Sequence, residues 1–151
     1  MKYTTEQLKQ IFAGHHGSRA IKRLISNAKR IGNQEAVEIG EQRLQQLFQD
    51  EQSGQSPVYN ALMKQVHAYE AVLSNEADRK RVATYSRRKI ATVGAVQMLK
   101  DLLAKAPDTL GLNKLRETGN LHAAYEQVVV DHPTYFTLKE VVEAKRRLGL
   151  G

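Results

Sequence analysis

The stretch Ser18-Arg-Ala-Ile21-Lys-Arg-Leu24-Ile25-Ser-Asn-Ala28-Lys-Arg-Ile-Gly32-Asn33 decides the fold class. Its apolar residues Ile21, Leu24, Ile25 and Ala28 recur at i, i+3, i+4 and i+7, the spacing that lines one face of an α-helix. Ser18 supplies a hydroxyl that can cap the first free N–H groups. Gly32 suits the left-handed position that closes a helix, and Asn33 can cap the next one.

The same signals repeat in both directions from this stretch. Upstream, Thr4 and Gln7 form a capping-box pattern, and Gly14 closes the helix they open. Downstream, Val37, Gly40, Leu44, Leu47 and Phe48 share one face of a third helix, with Glu38, Gln42, Gln45 and Gln46 on its wet side. The short linker Ser53-Gly-Gln-Ser56-Pro57 follows; Ser56 caps and Pro57 opens a fourth helix carrying Leu62, Val66, Tyr69 and Leu73. Ser74 or Asn75 is expected to begin a fifth helix that contains residues 79–100, with Gly94 bending or dividing it and Pro107 beyond its end. The last third reads as helices over Leu112–Thr118, closed by Gly119, and over Leu121–Asp131, stopped by Pro133. A final helix opens on the capping box Thr137 to Glu140 and ends before Gly149.

No segment alternates with the period of two that marks a strand. The expectation is an all-α fold: one domain over residues 1–151, a compact multi-helix bundle of about eight short helices. Its expected core is Leu24, Ile25, Leu44, Leu47, Leu62, Val66, Leu99, Leu102, Val128, Val141 and Leu148. A faint internal repeat at an offset of 104 pairs Leu8 with Leu112, Val37 with Val141 and Arg43 with Arg147, which allows two related helical hairpin halves.

Composition removes several function classes. With no cysteine there is no disulfide framework, thiolate metal site or cysteine nucleophile. No apolar run approaches the roughly 20 residues of a membrane span, and the opening Met-Lys-Tyr-Thr-Thr lacks the apolar stretch of a signal peptide, so a soluble, cytoplasmic protein is expected. There is no GlyXSerXGly elbow and no phosphate-binding glycine loop. His15 and His16 sit in the glycine-flanked turn Gly14-His-His-Gly-Ser18, where a structural role is expected, with Ser18 as the cap. His67, His122 and His132 are isolated, and Glu35, Glu38 and Glu41 read as a solvated face rather than a metal site. The expectation is therefore no enzyme, no cofactor and no metal.

Charge is the informative feature. The chain holds 23 Lys and Arg against 16 Asp and Glu, a net +7, and the surplus is uneven. Residues 1–52 balance to +2, residues 53–78 to −2, and residues 101–151 to zero. The remaining +7 lies in residues 79–100, where Arg79, Lys80, Arg81, Arg87, Arg88, Lys89 and Lys100 meet no acid. On a helix Arg81, Thr84, Arg88 and Thr92 would project together, and Lys, Arg, Thr and Ser are the donors that bind phosphate oxygens.

The sequence reading is a nucleic-acid-binding helical module, DNA favoured, making backbone-directed contacts through a basic helix 79–100. Arg79, Lys80, Arg81, Arg87, Arg88 and Lys89 are its candidate site. Gly94 would join that helix to the next as a helix–turn–helix-like pair, and the whole would serve as an accessory part of a DNA-processing system. The alternative is a helical protein–protein interaction module that binds no nucleic acid and docks through an exposed apolar groove; the plainer reading of the basic block is a solvated helix face paired with acids such as Glu70, Glu76 or Asp78. A membrane surface is disfavoured because the segment offers Val and Ile but no Trp or Phe to insert.

Overall fold

The structure is a computed structural model that describes residues 3–106 and 110–150. Among these described residues the chain is all-α: nine helices and two 3-10 turns, with no strand. Pro107 lies outside them.

The N-terminal helices form where the caps and apolar spacing place them. Helix α1 (Thr5–Ala13) carries the Thr4/Gln7 capping box, and α2 (Ser18–Arg30) turns over at Gly32. Helix α3 (Gln34–Ser53) is capped by the Asn33 side chain on the Ala36 N–H at 3.2 Å. Together they enclose one apolar cluster of Leu8, Phe12, Ile21, Ile25, Ala28, Ala36 and Val37. Gly40 is what lets them close. A Cβ there would stand 2.5 Å from Ile25 Cγ1 and 2.8 Å from the Phe12 ring, so any side chain would force the helices apart.

Helix α4 (Pro57–Ala77), capped by Ser56, is the spine of the second cluster. Helices α5 (Thr84–Val93), α6 (Ala95–Ala104), α8 (Glu126–Asp131) and α9 (Leu138–Arg147) pack around it through Val58, Leu62, Val66, Ile90, Leu99, Val128, Val129 and Ala144. Helix α7 (Leu110–Glu117) and the 3-10 turn Leu121–Ala123 cover the far end of α4 through Val72, Leu112, Leu115 and Ala123.

Several boundaries differ from the sequence reading, each for a local reason. Helix α4 continues past Ser74 to Ala77, so no helix begins at Ser74 or Asn75. The expected helix 121–131 is a 3-10 turn followed by α8, and Pro133 opens a second 3-10 turn. Leu24, Leu44, Leu47, Leu102 and Leu148 are half-buried at the cluster margins, while Ile21, Leu62 and Leu99 are fully enclosed.

The element that best shows how the second half is locked is a charge. Arg147 is buried beside α6, where it donates from Nη1 to Leu102 O at 3.1 Å and from Nη2 to Leu103 O at 3.1 Å and Lys105 O at 2.7 Å. These carbonyls belong to the end of α6, where helical partners run out. The rest of the guanidinium reaches Glu143 at 2.7 Å and the buried Glu126 at 3.5 Å. Arg43, its counterpart at the offset of 104, also closes a helix end, through Phe12 O and His15 O after α1. The likeness is partial: α2 packs on α3 as its counterpart α8 packs on α9, but α1 packs on α3 whereas its counterpart α7 packs chiefly on the 3-10 turn Leu121–Ala123.

Candidate nucleic-acid interface

The basic segment is not one helix. Asp78 ends α4 in a left-handed turn at φ 52°, a conformation Asp tolerates better than most residues. Residues 79–83 then run without helical structure before α5 starts at Thr84. Two side chains of α4 hold this strap. The Ser74 hydroxyl accepts the Arg81 N–H at 2.9 Å and donates to the Arg81 carbonyl at 3.3 Å. The buried Glu70 carboxylate accepts the Ala83 N–H at 2.8 Å.

Glu70 also pairs with one cation of the expected site. Its two oxygens receive Arg87 Nε and Nη2, each at 2.7 Å, a bidentate pair. That hydrogen bond outweighs the burial and draws the Glu70 carboxyl down to about 2. Lys89 is likewise committed to Asp101 at 2.8 Å, and Lys100 to Glu140 at 2.8 Å. Arg87, Lys89 and Lys100 are thus matched by acids elsewhere in the fold, and the expectation of seven uncompensated cations is corrected to four. Arg79, Lys80, Arg81 and Arg88 are exposed, and among the described residues they form no ion pair. Tyr85 is 62% exposed beside them; Lys105 donates to its hydroxyl at 3.0 Å and stands 5.0 Å from the ring centre, which lowers the phenol's affinity for its proton.

Gly94 divides the helices as a sharp corner of one residue, not as the three- to four-residue turn of a helix–turn–helix. Its φ of 87° and ψ of 163° exclude a side chain at ordinary cost, and a Cβ would meet Leu47 at 3.2 Å and Glu51 at 3.3 Å. Glu51, buried on α3, accepts the Ala95 N–H at 2.7 Å and so closes the start of α6; burial raises its pKa.

The histidine turn is a clamp on this corner. Ser18 is not the cap of α2; Gly17 holds that position, and the buried Ser18 hydroxyl donates to Val93 O at 2.5 Å. The Arg19 N–H donates to Gln97 Oε1 at 3.0 Å. His16 stands edge-on to Tyr135 with ring centres 4.7 Å apart, and burial, then Arg43, lower its pKa below the ordinary 6.5. Among the described residues, no group of three or more His, Asp or Glu side chains is placed to hold a metal ion.

One set of cations escaped the sequence reading. Helix α2 carries Arg19, Lys22, Arg23, Lys29 and Arg30 and no acid. Summing charge over residues 1–52 concealed it, because the acids of α1 and α3 cancelled it in number. A window the length of one helix finds it. Arg19 reaches Asp101 with both terminal nitrogens, so Asp101 bridges α2 to Lys89 of α5. No family model, curated protein or solved structure matches this chain.

Proposed function

We propose that the protein binds nucleic acid, DNA in preference, through contacts to the phosphate backbone made by Arg79, Lys80, Arg81 and Arg88. The observation that carries the reading is the strap itself. Three of these cations sit on a segment whose backbone is tied down by Ser74 and Glu70, while their side chains face water without acid partners. Strapping the backbone lowers the entropy lost when the chain engages a polyanion. Such contacts position a protein on its nucleic acid and carry no sequence information, which suits an accessory part of a DNA-processing system.

The test is the salt dependence of binding to a mixed-sequence DNA duplex. Four phosphate contacts give a slope of about −3 to −4, at roughly −0.9 per phosphate. Replacing Arg79, Lys80, Arg81 and Arg88 together by Ala should flatten the measured slope by about 3 to 4. Replacing Lys9, Lys64, Lys139 and Lys145, all exposed, is the charge-matched control. Equal loss from both sets, or unchanged binding in the strap variant, overturns the assignment.

A second reading rests on α9, where Leu138 is 80% exposed and Val142, one turn on, is also exposed. Isolated exposed apolar side chains are ordinary, but two in a row on one face fit a protein-interaction module. Failure of the protein to bind DNA at low salt would favour it.

A further inference from the structure

Helix α2 is amphipathic in a way the core alone does not require. Ser18, Ile21, Ile25 and Ala28 are buried, and the opposite side presents Arg19, Lys22, Arg23, Ser26, Asn27 and Arg30 to solvent. Among the described residues Lys22, Arg23 and Arg30 form no ion pair; Arg19 is held by Asp101, and Lys29 stands 3.8 Å from Glu41. Like charges crowded on one helix repel, so this surface lowers stability unless an anion neutralises it.

The chemistry of the outer face narrows the anion. It holds no apolar side chain to enter a bilayer, since the apolar face of α2 is already covered by α1 and α3. It holds no aromatic ring on which unpaired bases could stack. Its groups are Arg, Lys, Ser and Asn, the donors that reach phosphates and base edges. Thirteen residues make a rod about 20 Å long, and a helix with its side chains is about 10–12 Å across. The major groove of B-form DNA, roughly 12 Å wide, admits such a rod, whereas the deep, narrow major groove of an RNA duplex does not.

We infer that α2 is a second nucleic-acid contact, resting on the polyanion-binding part of the reading above, and that it selects double-stranded DNA by lying in the major groove. The seam at Asp101 sets the start of α2 beside Lys89 of α5. A groove of about 510 Å³ flanks the start of α2, lined by His15, His16, Arg19, Arg23 and Lys100 and also by the acids Asp101 and Glu140.

The experiment measures fluorescence anisotropy with three probes of one mixed sequence: a 24-base-pair DNA duplex, the same duplex as RNA, and the DNA single strand. The variant Lys22→Gln/Arg23→Gln/Arg30→Gln, at exposed helical sites, is compared with the strap variant after circular dichroism confirms equal helix content. The wild type should prefer the DNA duplex, and the α2 variant should lose that preference and flatten the duplex salt slope by about 2 to 3. The strap variant should weaken all three probes alike and keep the preference. An α2 variant with unchanged slope and preference overturns the inference while leaving the strap assignment intact. Loss in the α2 variant alone does the reverse, and equal wild-type affinity for all three probes refutes duplex selection.

Discussion

Replacing Arg147 by Ala should be among the most damaging single changes in this chain, although the sequence places it in an ordinary basic helix end. Arg147 is 3% exposed, and all five of its N–H donors are engaged: Nε with Glu143, Nη1 with Leu102 O and Glu126, Nη2 with Leu103 O and Lys105 O. Truncation leaves Glu126, 2% exposed, as a buried acid without its cation, and frees the Leu103 and Lys105 carbonyls at the end of α6, while Leu102 O keeps the Lys105 N–H. Breaking a buried pair from one side costs about 3–5 kcal/mol. At about 2–4 °C per kcal/mol for a domain of this length, the melting temperature should fall by about 6–20 °C. Differential scanning calorimetry and urea titration at neutral pH are the assays. The double variant Arg147→Met/Glu126→Leu should recover part of the loss, because the stranded acid is gone while the carbonyls stay uncapped. A single-variant loss below about 1 kcal/mol, or a double variant no better than the single, would refute the role assigned to this arginine.

Three further outcomes are expected. Glu70 is held at about 2 against an ordinary 4.5, so the stability it contributes is present above about 4.5 and lost as pH falls toward 2; Glu70→Gln should be less stable than wild type at pH 7, with the gap in urea midpoints closing toward pH 2. Leu99→Ala, at a fully enclosed site, should cost about 2–5 kcal/mol by urea unfolding, and Leu24→Ala, at a cluster margin, should cost clearly less; equal costs would contradict the placement of the core. Asp101→Asn should release Arg19 and Lys89, tighten binding to the DNA duplex and steepen its salt slope by about 1 to 2; an unchanged slope would show that these cations meet no phosphate.

Helix identity was legible because its causes are local. The Thr4/Gln7 and Thr137/Glu140 capping boxes, the Asn33 and Ser56 caps and the breaks at Gly32, Gly54 and Gly94 all act within a few residues of the bonds they make. The period of Ile21, Ile25 and Ala28 likewise names its own buried face, so the all-α class follows without knowledge of any partner. The fate of each charge does not follow, because a net count along the chain is blind to acids that arrive from elsewhere in space. Arg87 is neutralised from 17 residues away and Arg19 from 82, while Arg147 turns inward because Glu126 and the end of α6 meet it there. The same packing leaves Arg79, Lys80, Arg81 and Arg88 facing water, and brings α2 against the corner at Gly94 through Ser18 and Gln97. Helices are written in neighbouring residues; which cations stay free is decided only when distant acids and carbonyls are brought within hydrogen-bond reach.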